Sequence, residues 1–300
     1  MKKASQRILV IVGPTASGKS DLAIALARKY DGEIISADSR QVYIGMDIGT
    51  GKVTKREQAQ IPHHLLDITR PNQEYNVSYF LRDAKKAIQD IEKRGKLPII
   101  CGGTAFWIEA LVLGTPLPPI PPDKEFRERW GLRPATELFA YLKRLDPERA
   151  KTIDRKNKVR LLRAIEIATV LGKVPPMPKP SAKNAANFTF VGLNPPVEEL
   201  NKKIRDRLRK RMREGMEKEV GKLFQSGVSW KRLEEFGLEY RTLARLLQGK
   251  ITPAEMIDTL PFDIIHYAKR QRSSLRRLEK KGVKIKWFES PEQALAEFSL

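Results

Sequence analysis

The 300-residue chain carries one cysteine, Cys101, and three histidines, His63, His64 and His266. A single thiol excludes an intrachain disulfide, and so few thiols and imidazoles argue against a structural zinc site and cysteine-based redox chemistry. Long hydrophobic runs are missing as well. The apolar stretch near the start is Ile8 to Val12, against the roughly 20 residues that span a bilayer. Lys2, Lys3 and Arg7 precede it as in a signal peptide, yet the run stops at Gly13-Pro14 and no small-residue cleavage pattern follows. A cytoplasmic location without membrane contact is the expectation. Acidic residues are scarce beside basic ones: 36 Asp and Glu against 57 Lys and Arg, a formal net charge of +21. That surplus favours polyanionic partners, because each phosphate neutralised releases counterions, although a basic surface that serves only solubility has the same sign. With 41% apolar residues there is material for a core, which argues against a wholly disordered chain.

What is present reads as alternating strands and helices. Ile8–Val12, Glu33–Ala37 and Leu97–Cys101 are short β-branched runs bounded by Gly, Pro or Asp. Between them, Leu22, Ala23, Leu26 and Ala27 share one helical face, and Leu81, Ala84, Ala87, Ile88 and Ile91 another. Such alternation predicts an α/β fold with a parallel, doubly wound sheet. Two Pro-rich stretches, Gly114 to Pro122 and Val174 to Pro180, flank helical patterns with no strand candidate, so a helical insertion is expected over 117–182, splitting a core of 1–116 and 183–300. Phe188–Leu193 and Val283–Phe288 are the returning strands. Leu200, Ile204, Leu208 and Met212 form a narrow apolar stripe through a strongly basic helix, and Tyr267 to Arg277 carries a second basic face suited to a nucleic-acid backbone.

Gly13-Pro14-Thr15-Ala16-Ser17-Gly18-Lys19-Ser20 fits the phosphate-binding loop G-x-x-x-x-G-K-[ST] and lies between a strand and a helix, the context that the motif requires. Its backbone N–H groups and the helix N-terminus favour a phosphate, Lys19 reaches bridging oxygens, and Ser20 is suited to holding Mg²⁺. The loop does not say whose phosphate. Asp38 follows the second strand at the ligand-binding edge of the sheet, where it is either a general base, a turn cap or a water-mediated Mg²⁺ partner. Gly102-Gly103-Thr104 ends the third strand at the same edge; alone it reads as a tight turn with Thr104 as cap. His63 and His64 read as structural or loop residues rather than metal ligands.

Together these residues resemble the tRNA dimethylallyltransferase, or tRNA isopentenyltransferase, family. The resemblance rests on residues 13–20, Asp-Ser-Arg-Gln-Val-Tyr at 38–43, Gly-Met-Asp-Ile-Gly-Thr-Gly-Lys at 45–52, Pro-His-His-Leu-Leu-Asp at 62–67 and Gly-Gly-Thr at 102–104. It continues through Arg160 to Glu166 and Tyr267 to Gln271, covering nearly the whole chain. It implies a P-loop NTPase-like core with a helical insertion and basic C-terminal helices, acting as a monomer on two partners, dimethylallyl diphosphate and the anticodon stem-loop of tRNA, with Mg²⁺. The implied reaction moves the dimethylallyl group to N6 of adenosine 37, immediately 3′ of the anticodon, in tRNAs reading codons that begin with U. By the same resemblance, Gly13, Thr15, Ala16, Ser17, Gly18, Lys19 and Ser20 grip the diphosphate, Ser20 with the metal. Asp38 is the base, with Thr104 at the acceptor site and Arg207 on the leaving group. Asp38, Ser39, Arg40, Gln41, Thr104, Arg127, Arg160, Arg163, Lys269, Arg270 and Gln271 touch the tRNA.

The chain departs from the family pattern in places. Ala105-Phe106-Trp107 replaces the usual Gly-Leu-Tyr, Gly237-Leu238-Glu239-Tyr240 stands where Gly-x-Gly-Tyr is frequent, and Arg272-Ser273-Ser274 replaces x-Thr-Trp. Two other readings stay open on the residues alone. A P-loop kinase of a nucleoside or small metabolite uses the same loop, with Asp38 as base toward a hydroxyl. A non-catalytic RNA-binding module uses the basic faces but leaves the phosphate loop without a role.

Overall fold

Six short strands set the frame. In the computed structural model, which describes residues 8–118, 120–176 and 182–300, these are β1 (Ile8–Val12), β2 (Gly32–Ser36), β3 (His63–His64), β4 (Leu97–Cys101), β5 (Phe188–Leu193) and β6 (Ile285–Phe288). They form one sheet in the order β3-β2-β4-β1-β5-β6, with every neighbouring pair parallel. All residues of β1, β2 and β4 are buried, which is why β1 reads as a continuous apolar run rather than an alternating one. Their side chains alternate between two cores. Ile8, Val10 and Val12 pack in the layer of Phe80 and Trp107, whose rings stack at 4.6 Å, while Leu9 and Ile11 pack with Leu22 and Leu26.

The chain divides into two compact units, 1–114 with 180–300, and 115–179. The first holds the sheet with α1 (Lys19–Lys29), α2 (Lys55–Gln58), α3 (Val77–Lys93) and α4 (Ala105–Leu113). The second contains α5 (Lys124–Trp130), α6 (Ala135–Leu145), α7 (Pro147–Thr152) and α8 (Lys158–Leu171), around Leu138, Leu142, Leu161 and Ile165. Back in the first unit come α9 (Val197–Arg213), α10 (Met216–Gln225), α11 (Trp230–Phe236), α12 (Leu238–Leu247), α13 (Pro253–Lys280) and α14 (Pro291–Glu297). No helix among the described residues is long and apolar enough to cross a membrane.

The second strand begins at Gly32 rather than Glu33 and ends at Ser36, and the last begins at Ile285 rather than Val283. His63 and His64 add an edge strand the sequence did not signal, since two residues cannot display an alternation. His64 Nε2 lies 2.7 Å from the Oε2 of Glu33, a buried carboxylate that also pairs with Arg94. Lys2, Lys3 and Arg7 lie outside the described residues, as do Pro119 of the first Pro-rich stretch and positions 177–180 of the second.

Candidate active site

The phosphate-type loop is set by the abrupt change from β1, ending at Val12, to α1, beginning at Lys19. Gly18 turns the chain with φ +88°, and a Cβ there would sit 2.6 Å from Cγ of Pro291, so both conformation and space demand glycine. Thr15 donates its N–H to Oε1 of Gln271 at 2.8 Å, and Lys19 donates from Nζ to the Pro14 carbonyl at 2.6 Å. Burial pulls the Lys19 ammonium down to about 8; Arg207 acts in the same direction, opposed by Asp38. The Cys101 thiol is pushed up to about 12, chiefly by its own burial, so it is neutral at physiological pH.

Asp38 emerges just beyond β2. Its Oδ1 accepts the Arg40 N–H at 2.9 Å, a local turn that orients the carboxylate. Thr104, at the start of α4, makes no side-chain capping bond, contrary to the cap expected of a Gly-Gly-Thr turn. Its Oγ1 instead accepts the Ser39 N–H at 3.0 Å and donates to Ser39 Oγ at 3.3 Å. Gln41 Nε2 donates to the Gly51 carbonyl at 3.4 Å, while the Arg40 guanidinium lies 5.3 Å from the Phe236 ring centroid. Burial lowers the pKa of Arg40.

The facing wall is cationic. Arg207 and Arg211 are four residues apart on α9 and so share a face, and both Nη2 atoms converge on Gly51. A Cβ there would lie 1.9 Å from the first and 1.6 Å from the second, so only glycine admits this approach. Burial lowers Arg207 to about 10, aided by the like charge of Arg211. Arg211 donates to the Gly49 carbonyl and to Oε1 of Glu239, both at 3.4 Å, and its Nη2 is buried without a partner. Burial raises the pKa of Glu239. The loop in front of these arginines is gripped by one carboxylate: Glu219 accepts the N–H groups of Asp47, Ile48 and Gly49 at 2.6 to 3.0 Å and the Tyr240 hydroxyl at 2.7 Å.

These elements enclose a cavity of about 300 Å³. Of the residues singled out in the sequence, Thr15, Lys19, Ser20, Asp38, Ser39, Arg40, Gln41, Arg207 and Gln271 line it, with Gly102 and Gly103. Thr104 stands behind Ser39, and Gly13, Ala16, Ser17 and Gly18 shape the loop without lining the cavity. Lys269 and Arg270 are exposed on α13, whereas Gln271 is buried and spends both ends of its amide inside the protein. In the other unit, Arg127 and Arg163 are tied to the buried Glu166, at 2.6 and 3.0 Å, and Arg160 is exposed. Sequence reasoning missed Arg211, Glu219, Glu239 and the Gly49–Gly51 wall. The four-residue spacing of Arg207 and Arg211 was a usable signal for the first; Glu219 binds backbone N–H groups, which leave no trace in a sequence. The arrangement sets a carboxylate within one small cavity that also holds an ammonium and a guanidinium, able to accept a proton on one side and stabilise an oxyanion on the other.

The chain is similar in sequence and structure to known proteins. The family model described as IPP transferase matches residues 41–278. A tRNA dimethylallyltransferase 2 of Treponema denticola is 43% identical over 282 residues, covering 93% of this chain and 94% of its own length. A tRNA dimethylallyltransferase 1 of Geotalea uraniireducens is 41% identical, covering 98% and 96%. The crystal structure of the full-length tRNA isopentenylpyrophosphate transferase of Bacillus halodurans aligns with a TM-score of 0.68 at 33% identity, over 95% of this chain and 90% of that one. A eukaryotic dimethylallyltransferase, solved in crystallographic snapshots acting on tRNA, aligns at 0.77 and 26% identity, over 97% of this chain and 76% of that one. Phosphoryl transfer to a small metabolite finds no support in these matches, and the chain belongs to the IPP transferase family, that of the tRNA dimethylallyltransferases.

Proposed function

We propose that this protein transfers the dimethylallyl group of dimethylallyl diphosphate to N6 of adenosine 37, 3′ of the anticodon, in tRNAs reading codons that begin with U, and that it does so as a cytoplasmic monomer. The observation that carries this reading is the shared cavity of Asp38, Lys19 and Arg207. The allylic C–O bond breaks with its electron pair going to the diphosphate, whose growing charge meets loop N–H groups, Lys19 and Arg207. The N6 lone pair forms the new N–C bond. Because that lone pair is delocalised into the ring, loss of a proton to Asp38 during attack helps. An adenine in a single-stranded loop is cheaper to unstack into such a cavity than one in a duplex.

The donor set suits Mg²⁺. Ser20 lines the cavity, and Mg²⁺ takes most of its ligands from phosphates and water. When bound, it supplies charge neutralisation on the leaving diphosphate. Incubation of the protein with unmodified tRNA, labelled dimethylallyl diphosphate and Mg²⁺, followed by nucleoside analysis, tests the reading. Label in N6-dimethylallyladenosine supports it; ATP consumption on a small acceptor without label rejects it.

A further inference from the structure

We infer that Gln271 is a positioning residue that ties the diphosphate-side loop to the acceptor-side turn and thereby fixes the separation of leaving group and nucleophile. This rests on the prenyl-transfer reading and differs from the direct tRNA contact that the family resemblance implies for Gln271. The side chain accepts the Thr15 N–H at 2.8 Å and donates to the Gly103 carbonyl at 2.9 Å. Its orientation is fixed by chemistry: Thr15 N–H offers only a donor and Gly103 C=O only an acceptor, so the amide can face each in one way. No backbone hydrogen bond joins these two loops among the described residues. The fit is tight, because a Cβ on Gly103 would lie 2.5 Å from Gln271 Nε2.

The rigidity of the strut comes from its helix. Ile264, Ala268 and Leu275 bury α13 in the main core on either side of Gln271, which is itself 6% exposed. A carboxamide held this way commits its oxygen and one N–H to the protein rather than to a base. Its chemistry instead transmits the position of one strand end to another, where a displacement of about 1 Å costs about 100-fold in rate. The ionisable groups lining the same cavity are Lys19, Asp38, Arg40, His63, Cys101, Arg207, Arg211, Glu239, Tyr240 and Tyr267, so any pH comparison must be made against the unaltered protein.

The test uses Gln271→Met, which removes both polar ends, and Gln271→Glu, which regains a donor only when protonated. For Gln271→Met, single-turnover transfer at saturating substrates should fall about 100-fold, with the dissociation constant for tRNA within about twofold of the unaltered protein. Relative to that protein, Gln271→Glu should recover rate as pH falls from about 7.5 to 5.5, the range in which a buried carboxyl regains its proton, while Gln271→Met should not. Weaker tRNA binding with an unchanged rate would make Gln271 a tRNA ligand and overturn the inference, as would unchanged behaviour of both variants. Failure of the unaltered protein to transfer label rejects the functional reading itself, an outcome separate from these.

Discussion

The hydroxyl of Thr104 accepts the backbone N–H of Ser39 at 3.0 Å, and so pins the residue next to Asp38 from a different strand end. A threonine that sequence context reads as a helix cap is thereby a support for the carboxylate-bearing turn. Thr104→Val keeps the shape and loses both hydrogen bonds with Ser39. Steady-state kinetics should show kcat lowered about tenfold or more, in keeping with a misplaced general base, with Thr104→Ser close to the unaltered protein. Equal rates for Thr104→Val would remove Thr104 from this role.

Asp38→Asn retains the oxygen that accepts the Arg40 N–H, so the turn should survive while the proton acceptor is lost. Loss of a positioned general base is worth about 10²- to 10⁴-fold. That loss should appear in kcat, and filter binding should give an unchanged affinity for tRNA.

Lys19, drawn down to about 8 by burial, is charged below that pH and neutral above it in the ligand-free protein. Calorimetric binding of inorganic pyrophosphate should therefore weaken by up to about tenfold per pH unit above 8, one proton's worth, beyond any trend in Lys19→Arg, whose guanidinium stays charged. Parallel profiles for the two proteins would contradict the assignment.

In the 115–179 unit, Glu166 accepts from Arg127, Arg163 and the Asp123 N–H. Glu166→Ala should destabilise this unit by about 2 kcal/mol, less than for a fully buried pair because the Arg127 side chain is 37% exposed. Differential scanning calorimetry reads this as a lowered Tm. Arg160→Ala should leave Tm unchanged but reduce the salt slope of tRNA binding by about 1; an unaltered slope would separate Arg160 from the phosphates.

The parts legible in the sequence were those with local signatures. The loop at 13–20 combines a motif with its strand-to-helix context, and β4 and β5 fall where runs rich in β-branched, aromatic or leucine residues end before Gly102 and Asn194. The unread parts depend on distant partners. Arg211 looked like one more charge on a basic helix, yet it is 8% exposed and meets Glu239 and Gly49. Gln271 lies beside Lys269 and Arg270 in sequence but turns inward to loops 256 and 168 residues away. Only the folded chain brings such groups together.

In the proposed reaction one cavity sets a prenyl diphosphate against an adenine of tRNA, with Asp38 taking the proton. Single-turnover transfer from radiolabelled dimethylallyl diphosphate to unmodified tRNA, run side by side for the unaltered protein and Asp38→Asn, tests it most directly. The account predicts label in N6-dimethylallyladenosine for the unaltered protein and at least about 100-fold slower transfer for Asp38→Asn. Equal transfer rates for the two proteins, or no label from either despite tRNA binding, would contradict it.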